Sequence, residues 1–285
     1  MPSGRWRGER KNGSSRRDGD PVSLEPLFGR EKALIGMVHL LPLPGSPRWG
    51  GSLDQVIERA IADARVLAEA GMNGCLVENY GDAPFAPREV EPVTVATMTR
   101  VLEAVRAEVR IPCGVNVLKN DARAALAVAL AGGGRFIRIN VHIGAVVGDQ
   151  GILQGDAYAT LRDRARFGAS IQLFADVQGK HAVPLVPVEL EQEVRDAAYR
   201  GLADALVVSG PATGEATPLA DVKRVRVAVP DRPILVGSGA TPETIREILA
   251  LADGVIVGTF LKRDGRLSNP VDPARVERLV RAAQI

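Results

Sequence analysis

Short runs of aliphatic and β-branched residues alternate with longer amphipathic stretches along most of the chain. Each run has the length and composition of a buried strand, and each amphipathic stretch has the periodicity of a surface helix. The first such helix, over 52–70, has Ser52 as its predicted N-cap and Gly71 as its stop. The predicted strands are 33–39, 74–79, 114–118, 136–140, 171–176, 205–209, 234–238 and 255–259.

This succession of eight strand-and-helix units favours a single (β/α)8 barrel, the TIM barrel, over residues 31–285. Helical crossovers force neighbouring strands to run parallel, and closure of the sheet removes its edges. The alternative is an open, doubly wound sheet. Residues 1–30 are rich in Gly, Ser and Arg, so we expect them to form a disordered basic extension.

Polar and aliphatic positions alternate within the predicted strands. Val115, Ile137 and Leu173 belong to the aliphatic set, which should face the helices. The opposite set is polar near the carboxyl ends of strands 1 to 5, where barrel enzymes carry their active sites. We interpret this set as candidate catalytic residues, the alternative being a hydrogen-bonded internal layer. The candidates are His39, Glu78, Asn116, Arg138, Asn140 and Asp176, and Gln172 belongs to the same inward set.

Glycine-rich segments follow the last predicted strands. Backbone amides at glycines can approach a phosphate closely, and the loops after strands 7 and 8 are the usual phosphate site of a barrel. We expect Pro242 to lie in the first turn of the next helix, whose dipole would favour an anion. The alternative is that these glycines serve only tight turns. The predicted phosphate-binding residues are Gly237, Ser238, Gly239, Gly258 and Thr259, with Ser209 and Gly210 widening the same rim.

Charge and composition restrict the function classes. The formal charge of +2 arises in the first 20 residues, which carry six Arg or Lys against three Asp or Glu. The near-neutral remainder argues against a nucleic-acid-binding surface. The uncharged run 124–134 is too short for a membrane span. Cys75 and Cys113 lie in apolar runs, which is typical of buried thiols in a reducing compartment. We therefore expect a cytoplasmic protein without membrane insertion.

Cofactor motifs are absent from the sequence. There is no Walker motif, because Gly179-Lys180 is followed by His181, and no zinc-type spacing of His or Cys. His39, Glu78 and Asp176 are too scattered to indicate a dedicated metal site. We expect no required cofactor, and we leave open a Mg²⁺ ion that arrives with the substrate phosphate.

Two glycine-punctuated segments, 142–156 and 177–187, follow the fourth and fifth predicted strands. Both should project over the barrel mouth. They are interpreted either as a lid that excludes water or as solvated surface loops.

Distinctive motifs are spread over nearly the whole of residues 31–285, namely GMVHLLPLPGSP at 36–47, ENYGDAPF at 78–85, NVLKND at 116–121, FIRIN at 136–140, DQG at 149–151, DVQGKH at 176–181 and NPVD at 269–272. Through these motifs the chain resembles the BtpA (SgcQ-like) family, although Leu41 and Gln178 depart from the family pattern. The resemblance implies a ribulose-phosphate-binding type of barrel and, for cyanobacterial members, a role in photosystem I biogenesis, but no known reaction.

The sequence thus supports two hypotheses of function. The first is an enzyme, an isomerase or lyase, that acts on a small phosphorylated molecule, with Glu78 and Asp176 as acid or base. In that hypothesis His39 moves a proton, and one variant gives Lys180 or Lys119 a Schiff-base role. The second is a non-catalytic assembly factor that keeps a phosphate-binding barrel, and either protein could form a homo-oligomer. Asn116, Arg138 and Asn140 would orient the substrate.

Overall fold

The computed structural model describes residues 22–210 and 212–284. Eight parallel strands close into a barrel in the order β1-β2-β3-β4-β7-β9-β10-β11, and β11 pairs back onto β1. This confirms the predicted (β/α)8 barrel. The barrel strands are β1 (Ala33–His39), β2 (Gly74–Glu78), β3 (Cys113–Asn116), β4 (Phe136–Ile139), β7 (Gln172–Val177), β9 (Ala205–Val208), β10 (Ile234–Val236) and β11 (Gly254–Val257), and the remaining strands are β5 (Ala145–Gly148), β6 (Gly151–Gln154) and β8 (Ala182–Pro184).

The helices cover the outside of the barrel, and side-chain caps fix several of their starts. Ser52 accepts a hydrogen bond from the amide of Gln55 at the predicted N-cap of the second helix, and Asp121, Asp156 and Asp272 cap others in the same way. The helices are α1 (Glu25–Phe28), α2 (Leu53–Glu69), α3 (Pro92–Glu108), α4 (Ala122–Gly132), α5 (Ala157–Arg166), α6 (Leu190–Arg195), α7 (Leu219–Ala228), α8 (Ile245–Leu251) and α9 (Pro273–Ala283).

The aliphatic and the polar side chains of the barrel strands lie on opposite faces of the sheet, as their alternation along each strand predicts. Val115, Ile137 and Leu173 lie in the large apolar layer between strands and helices. The inward positions form a second cluster at the amino ends of the strands, where Phe136 and Phe174 stack with ring centroids 4.8 Å apart. Because that end is filled by hydrocarbon, the inward polar positions are concentrated at the carboxyl ends.

Helix α1 closes the amino end of the barrel. Phe28 packs edge-on against Phe136 with ring centroids 5.5 Å apart, and Leu24 is buried beside it. Residues 22–30, which the prediction assigns to the extension, thus include side chains that pack against the barrel. The rest of the predicted extension lies outside the described residues.

Segments 142–156 and 177–187 combine into one small antiparallel sheet, in the order β6-β5-β8, which we call the mouth sheet. The two segments are therefore not independent surface loops, because β8 pairs with β5 across the sequence gap between them, and a role as a lid stays a prediction. Its inner side includes Leu153, which is fully buried. Its outer side presents three neighbouring apolar side chains to solvent, namely Val147, Ile152 and Val183.

Cys75 and Cys113 are register partners on β2 and β3, with their sulfur atoms 3.3 Å apart. Both are free and buried, as the apolar runs predict. Within residues 22–210 and 212–284, none of the helices has the length and apolar character needed to cross a bilayer.

Candidate active site at the barrel mouth

A cavity of about 760 Å³ opens at the carboxyl ends of the strands, bounded on one side by the mouth sheet. It has the size of a small-molecule site. Four predicted site residues, Asn116, Asp176, Ser209 and Gly210, lie behind its wall rather than on its surface. The predicted residues that do line it are His39, Glu78, Arg138, Asn140, Lys180, Gly237, Ser238, Gly239, Gly258 and Thr259.

Arg138 and Asp176 form a buried bidentate ion pair beneath the cavity. The guanidinium donates from Nε and Nη2 to the two carboxylate oxygens at 2.8 and 2.9 Å. Asn140 donates to the same carboxylate at 3.0 Å, and its own amide oxygen accepts from Asn116 at 3.2 Å. These bonds satisfy the Asp176 carboxylate, whose side chain is fully buried. Asp176 is therefore suited to holding Arg138 and Asn140 in place and not to exchanging a proton with a ligand.

Glu78 is the carboxylate that faces the cavity from the barrel strands. Its Oε1 lies 3.6 Å from Nε2 of His39, its register partner on β1, which is beyond hydrogen-bond distance. Burial raises the pKa of Glu78, and the positive charges of Arg138 and Lys180 offset part of that rise. A carboxyl group whose pKa is raised in this way takes up a proton more readily than an exposed one.

His39 is held as a neutral imidazole. Burial is the main cause that lowers its pKa, and the nearby charges of Lys262 and Lys180 lower it further. Its ring lies 4.9 Å from that of Tyr80, and its Nδ1 atom has no partner among the described residues. A neutral imidazole of this kind can donate or accept one hydrogen bond to a ligand.

Two lysines, in the segments that follow β3 and β7, line the cavity. Lys180 donates from Nζ to the carbonyl oxygen of Gly237 at 2.8 Å. Lys119 donates to the carbonyl oxygen of Lys180 at 3.2 Å and lies 3.9 Å from the carboxylate of Asp149. Burial and the neighbouring Arg138 lower the pKa of Lys180 to about 8.

The glycine-rich rim is built differently from the prediction in two respects. Helix α8 begins at Ile245, so Pro242 lies in a preceding turn and not in its first turn. Gly239 has φ +77°, and a Cβ atom there would lie 2.4 Å from Cα of Ala216, so the fold itself requires a glycine. The amides of Gly239 and Ala240 donate to no acceptor within the described part of the chain, which leaves them available to a ligand.

Ser238 joins the loops that form the rim. Ser238 accepts from the amide of Gly210 at 2.9 Å, and its own carbonyl accepts from Thr217 at 3.1 Å. These bonds join the loop after β9 to the loop after β10. Ser209 and Gly210 therefore contribute to the shape of the rim and not to the cavity surface.

Charged residues that the sequence did not single out also line the cavity. Arg275 projects from α9, with its guanidinium 4.5 Å from the ring centroid of Phe260. Arg48, in the loop after β1, donates to the carbonyl oxygens of Gly81 and Ala83 at 3.5 and 3.3 Å. Arg48 directly follows the motif at 36–47, which is a signal that could have found it, whereas no motif accompanies Arg275.

Asn79 and Asp82 tie together the loops on the β1 to β3 side of the mouth. The amide oxygen of Asn79 accepts from the backbone amide of Leu118 at 2.7 Å, and its nitrogen donates to Asp82 at 3.0 Å. The other oxygen of Asp82 accepts from the amide of Leu43 at 2.7 Å. This network explains why two further polar residues follow Glu78 in the motif at 78–85.

Within the described residues, no group of three His, Cys, Asp or Glu side chains is arranged to hold a metal ion. In particular, the Asp176 carboxylate points to Arg138 and Asn140, so it does not join His39 and Glu78 in one cluster.

Sequence comparisons match nearly all of the chain beyond the first 29 residues. The model of the BtpA family matches residues 30–285. The photosystem I biogenesis protein BtpA of Synechocystis is 43% identical over 92% of this chain and 91% of its own length. An uncharacterised protein of Pyrococcus furiosus is 46% identical over 90% of this chain and 97% of its own. The sgc region protein SgcQ of Escherichia coli is 34% identical over 90% and 96%.

Structural comparisons show the same barrel in enzymes of low sequence identity. A monomeric form of the dimeric phosphoribosylanthranilate isomerase from Thermotoga maritima superposes with a TM-score of 0.53 at 13% identity, over 89% of this chain and 98% of its own. The native KDPGal structure gives a TM-score of 0.51 at 15% identity, over 89% and 93%. Identities this low concern the fold alone.

Proposed function

This chain belongs to the BtpA family, and from the chemistry of its barrel mouth we propose that it is an enzyme acting on a small phosphorylated metabolite. The observation that carries the proposal is the charge of the cavity wall. Among the described residues that line it, two carboxylates, Glu78 and Asp149, stand against five cationic side chains. Such a wall favours a compact anionic ligand. The five cations are Arg48, Lys119, Arg138, Lys180 and Arg275.

The rim after β10 and β11 is the proposed anchor for the phosphate. The amides of Gly239 and Ala240 have no acceptor among residues 22–210 and 212–284, and Thr259 adds a hydroxyl from the facing loop. Oriented amides and hydroxyls are suitable donors to phosphate oxygens, and this end of a barrel commonly holds one. The anchor leaves the remainder of the ligand directed toward the side of the cavity formed by β1, β2, β3, β4 and β7.

Glu78 is the proposed acid or base. It faces the cavity beside the cation of Lys180, and its raised pKa keeps it ready to take or give a proton. Arg138 and Asn140, held by Asp176, would orient an oxygen that gains negative charge. These groups suit isomerisation or bond cleavage next to a carbonyl, because both reactions remove a proton and stabilise an oxyanion.

The proposal is tested by comparing sugar phosphates with the same sugars lacking the phosphate. We would incubate the purified protein and its Glu78→Gln variant with a panel of sugar phosphates and with the same sugars lacking phosphate, and follow turnover by mass spectrometry. The proposal expects turnover of a phosphorylated compound only, with at least about a hundredfold loss in the variant, the usual scale of general acid–base catalysis. Equal turnover by Glu78→Gln, or a preference for the unphosphorylated sugar, would contradict it.

A second candidate is a non-catalytic assembly factor, and the observation that favours it is the name of the Synechocystis relative. Such a factor would keep its cellular effect when the proposed acid or base is removed. Complementation of a null strain by Glu78→Gln separates the two candidates, since full complementation supports the factor and loss of complementation by a folded variant supports the enzyme.

A further inference from the structure

We propose that Lys180 is a nucleophilic amine that forms an imine with its substrate, so that the substrates are phosphorylated aldehydes or ketones. This inference rests on the proposed function, because it uses the same cavity and the same phosphate anchor. It adds a covalent step and a chemical class of substrate.

The surroundings of Lys180 differ from those of the other buried lysines. Lys262 forms an ion pair with Asp63 at 2.7 Å, and Lys119 lies 3.9 Å from Asp149. Lys180 has no carboxylate within 4.0 Å among the described residues, and its Nζ is bonded to the neutral carbonyl oxygen of Gly237. For a buried lysine without a close counter-ion, the protonated form has a higher free-energy cost.

The backbone around Lys180 is held in an unusual shape. Gln178 and His181 both adopt left-handed conformations, with φ of 50° and 55°, although neither is glycine. The conformation of His181 is supported by a 3.0 Å contact between its Nε2 and Oγ1 of Thr213, and the carbonyl of Lys180 accepts from Lys119. Such strain costs energy and concentrates at functional sites. Here its effect is to direct the Lys180 amine into the cavity.

The protonation equilibrium of Lys180 supports the same role as its position in the cavity. With a pKa of about 8, about a tenth of the Lys180 amine is neutral at pH 7, whereas an ordinary lysine is neutral in only about one molecule in 3,000. The reactive fraction is larger by about 300-fold. Because the pKa is lowered, the neutral amine forms as pH rises through 8 and not near 10.

The covalent step requires no oxidant, reductant or cofactor. The Nζ lone pair attacks the carbonyl carbon, and the carbonyl π pair moves to oxygen, giving a carbinolamine. Both hydrogens of the neutral amine leave with that oxygen as water while the C=N bond forms. Glu78, which lines the same cavity, is placed to relay protons to the departing oxygen. Addition of water reverses the step and frees Lys180.

Borohydride trapping with mass mapping tests the proposal on the wild-type protein. Glyceraldehyde 3-phosphate and glyceraldehyde would each be added with sodium borohydride, and the modified lysine would be located by peptide mass. We expect one dominant adduct on Lys180, formed at a rate that rises with a midpoint near pH 8. Lys180→Arg should abolish that adduct, and the exposed-site control Lys223→Arg should leave it unchanged.

The outcomes separate this inference from the proposed function. If Lys180 of the wild-type protein is labelled no faster than Lys223, the imine proposal is wrong. This comparison uses the peptide masses of the wild-type protein alone, so it holds even if Lys180→Arg fails to fold. Calorimetric binding of glyceraldehyde 3-phosphate without a Lys180 adduct would keep the phosphate site and reject the imine. An adduct on Lys180 that forms equally with glyceraldehyde, and that inorganic phosphate does not inhibit, would keep the imine and reject the phosphate anchor.

Discussion

Two buried carboxylates at neighbouring positions of the mouth have opposite roles because their partners differ. Asp176 accepts three hydrogen bonds from Arg138 and Asn140, whereas Glu78 has His39 at 3.6 Å and no hydrogen-bond donor within the described residues. Strand alternation predicts that both carboxylates point inward. It cannot predict which one is neutralised, because that depends on the diagonal contact between β4 and β7.

The Arg138–Asp176 pair provides a stability prediction. Asp176→Asn would leave the buried guanidinium without its counter-ion, and breaking a buried pair from one side costs about 3–5 kcal/mol. Asp149→Asn is the matched control, since Asp149 is an exposed carboxylate at the same mouth. Urea unfolding of the three proteins measures the difference. If Asp176→Asn loses no more free energy of unfolding than Asp149→Asn, the Arg138–Asp176 ion pair does not stabilise this wall of the cavity.

Glu78 provides a prediction about pH. Its pKa is raised in the folded protein, so folding favours the protonated form, and the corresponding stabilisation is lost as pH rises through the folded-state pKa. Glu78→Gln cannot ionise, so it should match the wild type at pH 4 and exceed it in free energy of unfolding at pH 8. Denaturant titrations at both pH values measure this, and a variant less stable than the wild type at pH 8 would refute the assignment.

At the scale of elements, the barrel follows from the sequence while the mouth sheet does not. The eight strands contain runs of aliphatic residues, and their boundaries in the structure lie within two residues of the predicted ones. Strands β5, β6 and β8 have only three or four residues; β5 and β6 form a local hairpin, and β8 joins it from a distant segment. Local periodicity carries no signal for such pairing.

The mouth sheet offers two adjacent residues for a matched test. Leu153 is fully buried on its inner side, and Ile152, its neighbour on the other side, is 56% exposed. Leu153→Ala should destabilise the sheet by about 2–5 kcal/mol, whereas Ile152→Ala should change little. Hydrogen exchange of the amides in 145–154 measures local opening. Equal exchange in the two variants would mean that the sheet does not depend on packing against the barrel.

At the scale of the whole molecule, the charge distribution depends on the fold. The chain has nearly balanced charge, with 36 basic and 34 acidic residues, so composition does not indicate an anion site. Closure of the barrel brings Arg48 near the start of the chain and Arg275 near its end to one cavity. Only the closed topology places these residues together, which is why Arg275 in α9 was not predictable.

The proposed function depends most on the phosphate anchor at the rim, and calorimetric titration of glycerol 3-phosphate at low ionic strength tests that anchor most directly. The informative variant is Thr259→Asp, which adds a negative charge at the rim. Its control is Ser170→Asp, which adds the same charge at an exposed position just before β7, at the opposite end of the barrel. We predict binding by the wild type and by Ser170→Asp, and affinity at least about tenfold weaker, or about 1.4 kcal/mol, for Thr259→Asp. Equal affinity of the two variants, or no binding by the wild type, would contradict the account.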